Sequence, residues 1–117
     1  MNFKLLTVGA LCVAAAEGLA GQNIAARVVS LPSWQLFDRQ DEAYRQSVLP
    51  AAVKARVSVE AGSTRGWERY VGADGGMVGL DHFGGSAPIK DLMNAFGFTV
   101  NNVVAAAKAQ IGKWKQP

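Results

Sequence analysis

Residues Leu5 to Ala16, "LLTVGALCVAAA", carry no charge, and so apolar a run near the start of a chain leaves only two ways to fold. With Lys4 before it and small residues up to Gly21 after it, the run has the outline of a secretory signal peptide: a basic start, an apolar middle and a cleavable small-residue end. The same letters also spell a short strand buried on both faces, a break at Gly9 and an alanine-rich helix. The first reading exports the protein and discards the segment, whereas the second makes the segment part of the core. A membrane span is excluded, because no apolar stretch reaches the roughly 20 residues that a crossing helix needs.

The chain has 117 residues, which suits one domain spanning 1–117. Half of the residues are hydrophobic and 18% are charged, a balance that supports a packed core and argues against disorder. Cys12 is the one cysteine, so no internal disulfide can form. Small secreted domains often depend on disulfides, so this points to a reducing compartment and a cytoplasmic location. The net charge of +3 comes from scattered residues. Only Lys108, Lys113 and Lys115 gather, as lysines do where they favour a helix C-terminus, and nucleic acid is not an expected partner.

Along the chain, strand-length and helix-length patterns alternate. Phe3–Val8 reads as a strand and Leu11–Ala20 as a helix, with Gly21 at the left-handed position after it. "ARVVSL" is a second strand, stopped by Pro32. Ser33 can cap a helix from Trp34 towards Arg39, and Asp41 can cap another running to Val48. "KARVSVEAG" is a third strand, "TRGWERYVG" one or two helical turns, "ADGG" a turn and "MVGLD" a fourth strand. Ser86 can cap a helix with Ile89, Leu92, Met93 and Phe96 on one face, ended by Gly97. Thr99 can cap the last helix, whose stripe is Val100, Val103, Val104, Ala107 and Ile111. This alternation predicts an α/β layer fold with a mainly parallel sheet and right-handed crossovers.

Four segments, "ARVVSLPSWQLFDRQDEAYRQSVLP", "ARVSVEAGSTRGWERYVG", "GLDHFGGSAP" and "FGFTVNNVVAAA", resemble the C-terminal domain of transketolase in order and spacing. The resemblance runs from about Phe3 to Ile111. It implies a three-layer α/β fold with a mainly parallel sheet of about five strands. It also implies that the opening segment is the first strand and helix of that domain rather than an export signal. "VGALC" stands where transketolases usually have something close to "TGSE".

Transketolases move a two-carbon ketol unit between sugar phosphates with thiamine diphosphate and a divalent metal, and in such enzymes the cofactor carries the hard chemistry. In the family, two other domains hold the cofactor, the metal and the activating glutamate. The resemblance therefore implies no catalytic, cofactor-binding or metal-binding residue within this segment. One coincidence runs against that: Asp74-Gly75 followed by Asn101-Asn102 has the spacing of a thiamine-diphosphate motif. A turn former and helix-start residues explain these positions equally well, and the motif is rejected.

The remaining polar candidates have ordinary readings. His82 follows Asp81 at a strand end with no orienting partner in view, and Cys12 reads as a buried small hydrophobe. Glu60, Arg65, Glu68 and Arg69 surround Trp67, and this cluster is either surface ion pairs or a partner interface. Arg65, Trp67, Glu68 and Arg69 are the interface candidates. The expected function is a non-catalytic assembly domain, whose partner is a chain carrying the thiamine-diphosphate-binding domains or a second copy of itself. The alternative is a small-molecule module using the loops after Val8, Leu31, Glu60 and Asp81, at the strand C-terminal ends.

Overall fold

A computed structural model describes residues 2–6, 9–60, 64–79 and 99–114. The apolar opening takes the second of its two readings. Asn2–Leu6 is strand β1 and Gly9–Ala20 is helix α1. There follow β2 (Ala25–Val29), α2 (Trp34–Asp38), α3 (Glu42–Val48), β3 (Arg56–Val59), α4 (Glu68–Val71), β4 (Gly76–Val78) and α5 (Val100–Trp114). Among the described residues the strand order is β2-β1-β3-β4 with every pairing parallel, so β1 is interior to the sheet and sets Leu5 in register with Val28 on one side and Val57 on the other.

The period of two along each strand divides the core between the two faces of the sheet. Ala26, Val28, Val57, Val59 and Val78 meet α1 and α5, where Cys12, Ala15, Leu19, Val103 and Ala107 lose all contact with solvent. Val29 and Met77 belong to the other face, with Leu31, Trp34, Trp67, Tyr70 and Val71. Layers on both sides are usual for parallel strands, because their crossover connections put helices on the faces of the sheet. The first cluster is aliphatic and the second aromatic. Small residues on α1 explain the first, because they let α1 and α5 approach each other closely.

Local chemistry starts the helices as the sequence suggests. Ser33 Oγ accepts from the Leu36 amide at 3.2 Å, Asp41 Oδ1 from the Tyr44 amide at 2.8 Å and Thr99 Oγ1 from the Asn102 amide at 3.1 Å. Each bond satisfies one of the amides that a first turn leaves without a partner.

One expectation changes. The left-handed residue after α1 is Asn23 (φ 62°) rather than Gly21, because the chain adds a further turn in which the Gln22, Asn23 and Ile24 amides return to Leu19 and Ala20. Asparagine tolerates that conformation through its short polar side chain. The described residues supply four strands of the expected parallel sheet. The helix expected after Ser86 and the end of "MVGLD" lie outside the described residues.

The strand order reverses between β1 and β3, which is where open α/β sheets form a ligand crevice at their strand C-terminal ends. The loop after β1, residues 7–8, and part of the loop after β3, residues 61–63, lie outside the described residues, as do the loop after Asp81 and His82.

Candidate functional site

At the C-terminal end of β2 the chain turns sharply. The strand stops at Val29, three positions before Pro32; Leu31 is buried and Ser33 caps α2. Helices α2 and α3 are short and neither holds a buried residue, so both lie on the surface of the aromatic layer. Between them runs a groove of about 290 Å³ lined by Leu31, Pro32, Leu36, Phe37, Tyr44 and Val48. Leu36 is 61% exposed and Tyr44 51% exposed. Single exposed apolar residues are ordinary, but two at the lips of an apolar groove form a patch that a partner can cover.

Beneath the groove, four rings interlock. Trp34 and Trp67 meet edge-on at 4.9 Å between centroids, and Tyr70 lies 5.4 Å from Trp34 and 5.9 Å from both Trp67 and Phe37. Trp67 is therefore only 2% exposed. Of the four candidates singled out for a partner interface, it is the one whose ring no partner can reach. Arg65, Glu68 and Arg69 stand at the surface around it. Glu68 Oε2 accepts from the Gly66 amide at 3.1 Å, and Arg69 pairs with Asp38 while lying over the Tyr70 ring. The Glu60 amide donates to the Val78 carbonyl at 3.0 Å and prolongs the β3–β4 ladder.

A second feature lies at the opposite end of the sheet and was missed by sequence reasoning. Arg56 opens β3, and its half-buried guanidinium donates to four backbone carbonyls: Val53 at 2.8 Å, Tyr70 at 2.6 Å, Leu49 at 3.3 Å and Pro50 at 2.8 Å. Burial lowers its pKa from the ordinary arginine value. Among the described residues no carboxylate pairs with it. The available signal was the alternation in "RVSV", which puts Arg56 on the same inward face as Ser58. Beside it opens a cavity of about 380 Å³ bordered by Gln46, Lys54, the Gly72–Asp74 turn and Trp114.

The thiamine-diphosphate spacing does not become a metal site. Asp74 faces the far half of α5: its carboxylate lies 3.1 Å from Lys113 Nζ and its carbonyl accepts from Gln110 Nε2 at 2.7 Å. Gln110 is eight positions beyond Asn102, about 12 Å along the helix axis, so the aspartate and the asparagines cannot share one ion. Among the described residues no group of three histidine, cysteine or acidic side chains is placed to hold a metal. These residues do not fit the diphosphate–metal group of the family. Cys12 is fully buried, and desolvation pushes its thiol up to about 11, which makes it a poor nucleophile. Among the described residues no helix is long and apolar enough to cross a membrane.

Comparison with known proteins follows the same line. Residues 4–99 match the family profile described as the transketolase-like TK C-terminal domain. Transketolase 1 of Escherichia coli (strain K12) is 58% identical over 98 residues, which is 84% of this chain and 15% of that protein. The transketolase of Geobacillus stearothermophilus is 50% identical over 103 residues, 88% of this chain and 15% of that protein. The crystallised transketolase of Leishmania mexicana superposes with a TM-score of 0.86 at 39% identity, over 98% of this chain and 17% of its own. The chain thus spans about 15% of the length of the curated relatives it matches.

Proposed function

This chain belongs to the transketolase family, and on that premise we propose that residues 1–117 are one C-terminal-type domain with a non-catalytic, assembling role. It docks on the thiamine-diphosphate-binding part of a transketolase-like enzyme, in the same polypeptide or another. The activity it serves is ketol transfer between sugar phosphates, in the pentose phosphate pathway and in the cytoplasm. The observation that carries this reading is the apolar groove between α2 and α3, with Leu36 and Tyr44 at its lips. It lies at the strand C-terminal end of the sheet, and Asp38, the residue after its lining residue Phe37, pairs with the interface candidate Arg69.

The test is size-exclusion chromatography with light scattering on the purified chain, alone and mixed with a transketolase lacking its C-terminal domain. Co-elution with improved ketol transfer, lost in Leu36→Asp, is the expected result. The chain alone is expected to show no ketol transfer. A monomer that ignores the truncated enzyme, or a homodimer that does so, overturns the assembly role as stated.

A further inference from the structure

The cavity beside Arg56 is independent of the docking groove. In an all-parallel sheet the groove after β2 and the cavity before β3 and β4 lie at opposite ends of the strands. Its chemistry is also different. Arg56 contributes a positive charge held by neutral carbonyls, which take four of its five N–H groups without cancelling the charge and leave one Nη1 hydrogen uncommitted. Lys54 Nζ sits 5.3 Å from the centre of the Trp114 ring, where the ring's quadrupole holds it at the cavity's edge. The Gln46 side-chain oxygen accepts from the Ala51 amide at 3.0 Å, which fixes the amide and leaves its amino group as a donor. One carboxylate, Asp74, is among the lining residues, and it is paired at the surface with Lys113 at 3.1 Å.

Hydrogen bonds join two of the walls. Trp114 Nε1 donates to Gln110 Oε1 at 3.3 Å, and Gln110 in turn donates to the Asp74 carbonyl at 2.7 Å, so α5 and the Gly72–Asp74 turn are fixed together. Leu49 and Val71 supply apolar lining. A volume of about 380 Å³ falls within the range that takes a small organic ligand. Two cations, a neutral donor and an aromatic wall select against a bare cation and against a fully apolar ligand. Two positive charges suit a dianion better than a monoanion, which favours phosphate over carboxylate.

We propose that the cavity between Gln46, Lys54, Arg56 and Trp114 binds a small soluble phosphate monoester with a ring-shaped body. Lys54 and the exposed edge of Arg56 face the phosphate, and the body lies against Trp114 and the apolar lining.

The test is a ¹H–¹⁵N NMR titration of the full chain with phenyl phosphate at constant ionic strength, with phenol and inorganic phosphate run separately. Saturable shifts at the Trp114 indole N–H, at Lys54 and in the Gly72–Asp74 amides are expected. Phenyl phosphate should bind more tightly than either half alone. Lys54→Glu should weaken binding by about tenfold or more, as expected for reversing one charge near a dianion. Trp114→Leu should weaken phenyl phosphate while leaving inorganic phosphate almost unchanged. Unperturbed Cys12 and Val103 amides verify that both variants are folded. Shifts that never saturate, that scatter over other lysines, or that survive Lys54→Glu unchanged would overturn the proposal.

Discussion

The Tyr70 hydroxyl donates to Asp38 Oδ1 at 3.0 Å, while the other oxygen of the same carboxylate is paired with Arg69. One aspartate at the end of α2 thus holds two consecutive residues of α4, across 31 and 32 positions of sequence. Burial, together with the carboxylate that its proton faces, raises the Tyr70 phenol to about 12, while Arg69 partly opposes the shift. The pair ties α2 to the aromatic layer.

Removing the hydroxyl tests that tie. Tyr70→Phe keeps the ring packing and should cost about 1 kcal/mol, the usual net value of one hydrogen bond. Arg69→Ala breaks an exposed ion pair and should cost less than about 1 kcal/mol. Asp38→Ala removes both contacts and should exceed either alone. Urea denaturation of the three variants checks the order.

Alkaline pH should weaken the fold. Cys12 rises from 9.0 to about 11 and Tyr70 from 10.0 to about 12 in the folded state. In the unfolded chain both groups lose their protons first, so between pH 9 and 12 the folded state binds more protons than the unfolded state. Stability is then fully present below pH 9 and falls as pH rises through that window. Cys12→Ser and Tyr70→Phe should each flatten part of the decline, followed by urea midpoints against pH.

Gly66 is required for two separate reasons. Its φ is +87°, and a Cβ there would lie 2.7 Å from the Trp34 ring. Gly72 has φ +89° but open space around it. Gly72→Ala should therefore pay only backbone strain of about 1 kcal/mol, and Gly66→Ala about 1–3 kcal/mol through the added clash. Near-ultraviolet circular dichroism should change for Gly66→Ala alone, because that substitution displaces a tryptophan.

Arg56→Lys should destabilise by about 2 kcal/mol or more, despite keeping the charge. An ammonium has one nitrogen and cannot reach the four carbonyls that Nε, Nη1 and Nη2 serve together. The thermal midpoint compared with Arg27→Lys checks it. Arg27 makes a single long contact, to the Ser47 carbonyl at 3.4 Å, and should tolerate the change.

Much of the fold was legible because the signals were short-ranged. Ser33, Asp41 and Thr99 each cap an amide three positions on, a bond that needs no knowledge of the rest of the chain. Alternation around Val57 and Val59 marked β3, and the stripe Val103–Ala107–Ile111 marked the buried side of α5. Long blocks of recognisable sequence supplied the family, which local patterns could not.

Tertiary structure decided what the distinctive side chains do. Composition left Trp67 among charges, the dress of an interface, and only the packing of Trp34, Phe37 and Tyr70 around it placed its ring inside. Arg56 reads as an ordinary strand residue until the chain brings Tyr70, 14 positions away, onto its guanidinium. Asp74 and the asparagines share a spacing but not a place, since Asp74 meets α5 at Gln110, 36 positions on. A sequence determines the contacts that lie within a turn or two of each residue, together with the apolar periods that demand burial. Which distant groups meet depends on strand order and register, and these are set by the whole core at once.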